Sequence, residues 1–124
     1  MKKILVIEDD AELRVLIEMF LSYDNFDVVM ACDGIEGLDA LTNSSFDLVI
    51  TDFRMPRMNG GEFAKIALER FPNLPIILSS AFVPKLGVAL ETKLHFVSKP
   101  YQMNEMIVKI NHLLKINSTM DLAL

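Results

Sequence analysis

Five short apolar runs punctuate the chain: KILVI (3–7), FDVVMA (26–31), DLVIT (47–51), PIILSS (75–80) and LHFVS (94–98). They are rich in Val, Ile and Leu, and several lack any alternation of apolar with polar positions. Such runs predict strands covered on both faces, as in parallel sheets. Between them, apolar positions recur at helical spacing. Leu13, Leu16, Ile17, Phe20 and Leu21 follow the capping candidate Asp10, and Ile35, Leu38 and Leu41 follow Asp33. An Asp so placed accepts hydrogen bonds from the free N–H groups of a first helical turn and favours its dipole. Phe63, Ile66 and Ala67 mark a third helix before Phe71-Pro72, and Met103, Met106, Ile107, Ile110, Leu113 and Leu114 mark the last. The pattern weakens only around 84–92, where Pro84 suits a first turn but Gly87 falls inside the helix.

Strand and helix thus alternate five times, with connections too short for a second domain. The expected fold class is α/β: a doubly wound (βα)5 five-stranded parallel sheet with right-handed crossovers. The flavodoxin-like strand order 2-1-3-4-5 is expected, with a switch point between the first and third strands. Residues 1–116 are expected to form the domain and 117–124 a C-terminal tail or the start of a linker.

Composition narrows the function classes. With 124 residues, 52% of them hydrophobic and 23% charged, the chain suits one globular domain with a real core. A net charge of −5 argues against direct nucleic-acid binding by this domain, because phosphate backbones reward excess Lys and Arg. The single cysteine, Cys32, excludes an internal disulfide and suits a reducing compartment. The opening MKKILVIEDD turns acidic too early for a signal peptide, and no run approaches membrane-spanning length. A cytoplasmic location with no membrane contact is the expectation.

Ligands of open α/β sheets bind outside the carboxyl ends of the strands. Glu8, Asp9 and Asp10 follow the first strand, and Asp52 follows the third. Ser79 and Ser80 end the fourth, and Ser98 and Lys99 the fifth. Glu8, Asp9 and Asp52 flank the switch point and so should meet, although carboxylates at one spot repel unless a cation or protons intervene. Oxygen ligands without His or Cys suit a hard cation such as Mg²⁺. Lys99 adds a fixed positive charge and Ser80 a hydroxyl. Together these residues form a phosphoryl-transfer site with Asp52 as nucleophile. Taken alone, each has a plainer reading. Asp52 could be a solvated strand terminus, Asp10 is best read as a helix cap, and Ser79 competes with Ser80 for the hydroxyl role. His95 and His112 lack partner ligands and read as structural or exposed.

From about Lys2 to Leu114 the chain resembles a response-regulator receiver domain of two-component signalling. ILVIEDD (4–10), VITDFRMPRMNG (49–60), PIILSSA (75–81) and FVSKPY (96–101) carry the resemblance, in order and at strand ends. It implies that Asp52 accepts a phosphoryl group and that Asp9 and Asp52 bind Mg²⁺ directly. Glu8 would reach the ion through water, and the backbone carbonyl of Arg54 would complete the protein ligands. Lys99 would pair with the phosphoryl group, Ser80 would move to hydrogen-bond it, and Phe96 would turn inward as the switch aromatic. The Lys99-Pro100 bond is expected to be cis. The implied partners are a sensor histidine kinase or phosphotransfer protein, which carries the donor histidine, and an output protein or output domain. A homodimer is left open.

This sequence also departs from the family pattern. The interval from Ser80 to Lys99 is short, and ETKLHF (91–96) stands where a Gly-Ala pair is usual. A short or irregular fourth helix and an altered partner surface are therefore expected. Arg54 and Phe82, each two residues beyond Asp52 and Ser80, should border the path of hydrolytic water. Three other readings compete. A Mg²⁺-dependent phosphohydrolase would want a second acid where Arg54 stands. A flavodoxin-type cofactor module would want a Gly- or Ser-rich loop where EDDAE (8–12) stands. A receiver-fold scaffold acting without phosphorylation is opposed by the complete acid set.

Overall fold

A computed structural model describes residues 1–115, in which the apolar runs form strands and the periodic segments form helices. In order these are β1 (Lys3–Ile7), α1 (Ala11–Tyr23), β2 (Asp27–Ala31), α2 (Gly34–Asn43), β3 (Leu48–Asp52), α3 (Gly60–Arg70), β4 (Ile76–Ser80), α4 (Val88–Glu91), β5 (His95–Ser98) and α5 (Met103–Leu114). The strands form one sheet in the order β2-β1-β3-β4-β5, every pairing parallel. This is the doubly wound flavodoxin-like arrangement expected. The expected tail, 117–124, lies outside the described residues.

Each face of the sheet carries its own apolar cluster. One joins Leu5, Ile7, Val49 and Leu78 to Phe63, Ala64 and Ala67 of α3 and Leu41 of α2. The other joins Ile4, Val6, Ile50 and Ile77 to Ile17 and Leu21 of α1 and to Met106 and Ile110 of α5. Central β3 and β4 are buried along their whole length, whereas edge strands β2 and β5 are mostly half-buried. That is why the central runs lack polar alternation. Phe63 is fully buried, and truncating such a ring costs about 3–5 kcal/mol.

Caps define the helix starts. Asp10 accepts from the N–H groups of Glu12 and Leu13, and Asp33 from that of Glu36. Asn59 and Glu62 make a reciprocal capping box on α3. The helical faces are narrower than their sequence pattern. Leu16, Phe20 and Ile35 fit the apolar spacing, yet they are 44%, 45% and 42% exposed. An apolar stripe wider than the sheet can cover leaves its margins in water.

The fourth helix is a single turn of four residues, as the short interval predicted. Two details of that segment differ from expectation. Pro84 does not open the helix but lies buried before it, and Gly87 is its N-cap and not an interior residue. Gly87 has φ +90°, a conformation open to glycine and strained for other residues.

Candidate functional site

Parallel register builds the site. Ile7 pairs with Thr51, so the residues just beyond, Glu8 and Asp9, come up beside Asp52. Asp52 in turn pairs with Ser79, and Ser80 pairs with Ser98. The ladder continues past β5, where the Lys99 N–H donates to the Ser80 carbonyl at 2.8 Å. The Lys99-Pro100 bond that follows is cis, as expected. Four strand ends thus deliver acids, hydroxyl and lysine to one rim.

Glu8, Asp9 and Asp52 each offer a carboxylate oxygen within 4.8 Å of the others. Glu8 and Asp52 are buried, while Asp9 is exposed. Lys99 Nζ lies 3.0 Å from Asp52 Oδ2 and 3.7 Å from Glu8 Oε1. One ammonium facing three carboxyl groups leaves the cluster short of positive charge. Within this cluster the Glu8 carboxyl is pushed up to about 7. Burial is the main cause, the Asp52 charge adds to it, and the Asp10 N–H and Lys99 oppose it. An all-oxygen donor set, partly buried and over-supplied with negative charge, fits a hard divalent cation such as Mg²⁺.

Neighbouring residues hold this cluster in place. Glu8 Oε2 accepts from the Asp10 N–H, and Arg14 Nη1 donates to the Glu8 carbonyl at 2.8 Å. On the β3 side, the loop from Phe53 to Asn59 is closed by the Gly60 N–H donating to the Phe53 carbonyl at 2.7 Å. A Cβ on Gly60 would come within 2.4 Å of the Asp52 carbonyl oxygen and 2.6 Å of Leu78 Cδ1. Only glycine lets α3 start this close to the acid's own backbone. Arg54, on this loop, is exposed, and its guanidinium lies 5.1 Å from the centre of the Phe82 ring. Phe82 meets Phe53 edge-on at 5.4 Å.

The two serines part company. Ser79 Oγ donates to the Thr51 carbonyl within the sheet. Ser80 Oγ accepts from the Phe82 N–H at 3.2 Å and is thereby tied to the loop after β4. Phe96 is half-buried against the α2–α3 side of the core. Tyr101 is a neighbour that sequence reasoning missed. Its phenol is raised to about 12 by burial, and then by the charges of Glu8 and Asp52. Two positions past Lys99, it carries no periodic signal that would single it out.

Cavity size does not point to this chemistry. A cavity of about 470 Å³ lies at the opposite end of the sheet between Phe46, Asp47, Arg70 and Pro75. His95 is partly buried on β5, and burial, Lys109 and His112 lower its pKa; among the described residues it belongs to no cluster of three metal-ligating side chains.

Comparison with known proteins agrees with this fold. Residues 4–111 match the response regulator receiver domain. The chain is 34% identical over 118 residues to the transcriptional regulatory protein CpxR of Escherichia coli, covering 93% of this chain and 50% of that one. It superposes on the receiver domain of Francisella response regulator 1452 with TM-score 0.83 and 27% identity, covering 93% and 98% of the two chains. The response regulator TrrA of Thermotoga maritima, solved in complex with Mg²⁺–BeF, gives TM-score 0.83 and 28% identity over 91% and 99%. The chain spans about half the length of the curated transcriptional regulators it matches. Among the described residues, no helix is long and apolar enough to cross a membrane.

Proposed function

The chain belongs to the response regulator receiver family, and on that premise we propose that it is a phosphorylation-activated switch with Asp52 as the acceptor. The observation that carries this reading is the position of Lys99 Nζ, 3.0 Å from Asp52 Oδ2 inside a cluster of three acids. Asp9 and Asp52 would hold Mg²⁺ directly, with Glu8 acting through water and the Arg54 carbonyl completing the protein ligands. When bound, the ion supplies positive charge to the oxygens of the transferring phosphoryl group.

An Asp52 carboxylate oxygen attacks phosphorus. The bond between phosphorus and the donor's histidine nitrogen breaks, and the imidazole leaves with the electron pair. Lys99 transfers its pairing from carboxylate to phosphoryl oxygen. Ser80 Oγ gives up the Phe82 N–H and donates its own proton to a phosphoryl oxygen. That exchange frees the loop after β4, and Phe96 turns into the space it vacates. Phosphorylation thereby shifts a pre-existing equilibrium and does no further chemistry on another substrate. The chain's catalysis is confined to its own phosphorylation and slow dephosphorylation.

Donor docking is supported beside the site. Leu16 and Phe20 on α1 are exposed, and Leu13, Leu16, Pro100 and Tyr101 line an apolar cavity next to Lys99. Apolar surface of this kind marks protein contacts, and a sensor histidine kinase or phosphotransfer protein must reach Asp52. The output is a separate protein or a domain beyond this one, as the length of the relatives supports, and the setting is the cytoplasm.

Ser80→Ala tests the coupling. It should still accept a phosphoryl group, yet fail to move the amide NMR signals of residues 81–96. If those signals move as in wild type, Ser80 is not the link between chemistry and surface.

A further inference from the structure

One carboxylate outside the acid cluster performs two tasks. Asp33 caps α2 through Oδ1, which accepts from the Glu36 N–H at 2.8 Å. Its Oδ2 takes the guanidinium of Arg57 from the loop after β3. The Asp33 side chain is 3% exposed and that of Arg57 64%, so the arginine reaches in from the surface to a buried acid. The Glu36 N–H, and after it the Arg57 guanidinium, hold the Asp33 carboxyl below the usual carboxylate range. The adjacent residue reinforces the contact. Met58 lies over Gly34, so closely that a Cβ there would meet its sulfur at 2.9 Å. Arg57 and Met58 thus rest together on the first turn of α2.

The loop they belong to carries Arg54. It is closed at its base by the Gly60 N–H on the Phe53 carbonyl and anchored to α3 by the Asn59–Glu62 capping box. Between those ends the backbone of Arg57 sits at φ +71°, which a non-glycine residue holds only under restraint. Its side chain is the one bound to Asp33.

We propose that Asp33 and Arg57 are positioning residues for the cation site, holding the β3–α3 loop in the form that presents the Arg54 carbonyl. Resting on the reading of that carbonyl as a Mg²⁺ ligand, this makes the N-terminus of α2 a remote support of the phosphorylation chemistry. Partners that orient metal ligands from behind typically cost about tenfold or more in affinity when removed. The Asp33–Arg57 pair should sit at the lower end of that range because it acts on a loop and not on a ligand side chain.

The experiment is a ¹H–¹⁵N NMR titration with MgCl2 alone, alongside thermal unfolding of each variant. Asp33→Asn keeps the α2 cap and loses the charge. Arg57→Gly removes the guanidinium and accepts the positive φ without strain. Each should weaken Mg²⁺ binding about tenfold, the double variant no more than the weaker single, and Arg57→Lys should recover part of the loss. Singles that bind Mg²⁺ within twofold of wild type, whatever their melting temperature, overturn the proposal. So do losses that multiply in the double variant, because the two residues would then act separately. Wild type that binds no Mg²⁺ overturns the reading of the site itself, and this proposal with it.

Discussion

The two sides of Asp52 are built differently. On the β3–α3 side every residue of the strand is buried, the loop is closed by the Phe53–Gly60 hydrogen bond, and α3 begins with a full capping box. On the β4–α4–β5 side the chain leaves Ser80 as an irregular segment, makes one helical turn with no side-chain cap, and enters a half-buried edge strand. Phe82, Val83 and Val88 stand 42%, 81% and 76% exposed there. The contrast separates two demands. Phosphoryl transfer needs acids and cation held in advance, since reorganising them during reaction raises the barrier. Signalling needs a segment that moves at small cost, and few buried contacts keep that cost small. Ser80 stands at the seam, with its backbone in the sheet and its hydroxyl on the loop.

Glycine substitutions test this contrast most strongly. Gly60→Ala places a Cβ 2.4 Å from the Asp52 carbonyl oxygen, a clash with backbone that should cost about 3 kcal/mol in urea unfolding. Gly87→Ala meets no atom within 4 Å and suffers only the strain of φ +90°. Local opening of the segment limits that penalty to about 1 kcal/mol. Equal losses at the two positions would mean the two sides are equally tied down.

A smaller effect should appear on changing pH. Folded Glu8 keeps its proton up to about 7, against 4.5 for the free side chain. Between those values the folded state binds the extra proton, so stability from this group falls as pH rises through the window and is lost above it. On the proposed reading Mg²⁺ would bind the deprotonated cluster and should reverse the trend at the upper end. Melting temperature measured from pH 5 to 8, with and without Mg²⁺, reads this directly. A Mg²⁺ increment of the same size at every pH would contradict it.

The smallest effect lies where the two sides touch. Arg54 over the Phe82 ring bridges the loop after β3 to the loop after β4, and we propose that together they crowd the approach of water to Asp52. A cation–π contact of about 0.5–1 kcal/mol implies that Arg54→Ala or Phe82→Ala should speed decay of phospho-Asp52 by about two- to fivefold. An unchanged decay rate in both variants removes the idea.

The fixed half was the more legible of the two in the sequence. The run ending at Asp52 declares a buried strand, and β-α alternation places Glu8 and Asp9 beside it without any distance being known. The short interval between Ser80 and Lys99 foretold the one-turn α4, although not Gly87 as its cap, because a positive φ leaves no periodic mark. Leu16 and Phe20 share the helical spacing of buried Ile17 and Leu21 yet stand in water, since spacing shows where a stripe runs and not how wide a face its partner can cover. The Asp33–Arg57 pair lay beyond reach for another reason. Its members are 24 residues apart, and only the tertiary fold brings a surface arginine to a helix cap.

The central claim is that Asp52 receives the phosphoryl group within the acid cluster. Its most direct test is intact-mass analysis after incubation with acetyl phosphate, with and without Mg²⁺, using Asp52→Asn as the control. A single phosphoryl adduct that requires Mg²⁺ and vanishes in the variant is the predicted result. An adduct that survives Asp52→Asn would contradict the account, as would a wild-type chain that forms neither an adduct nor a beryllofluoride complex.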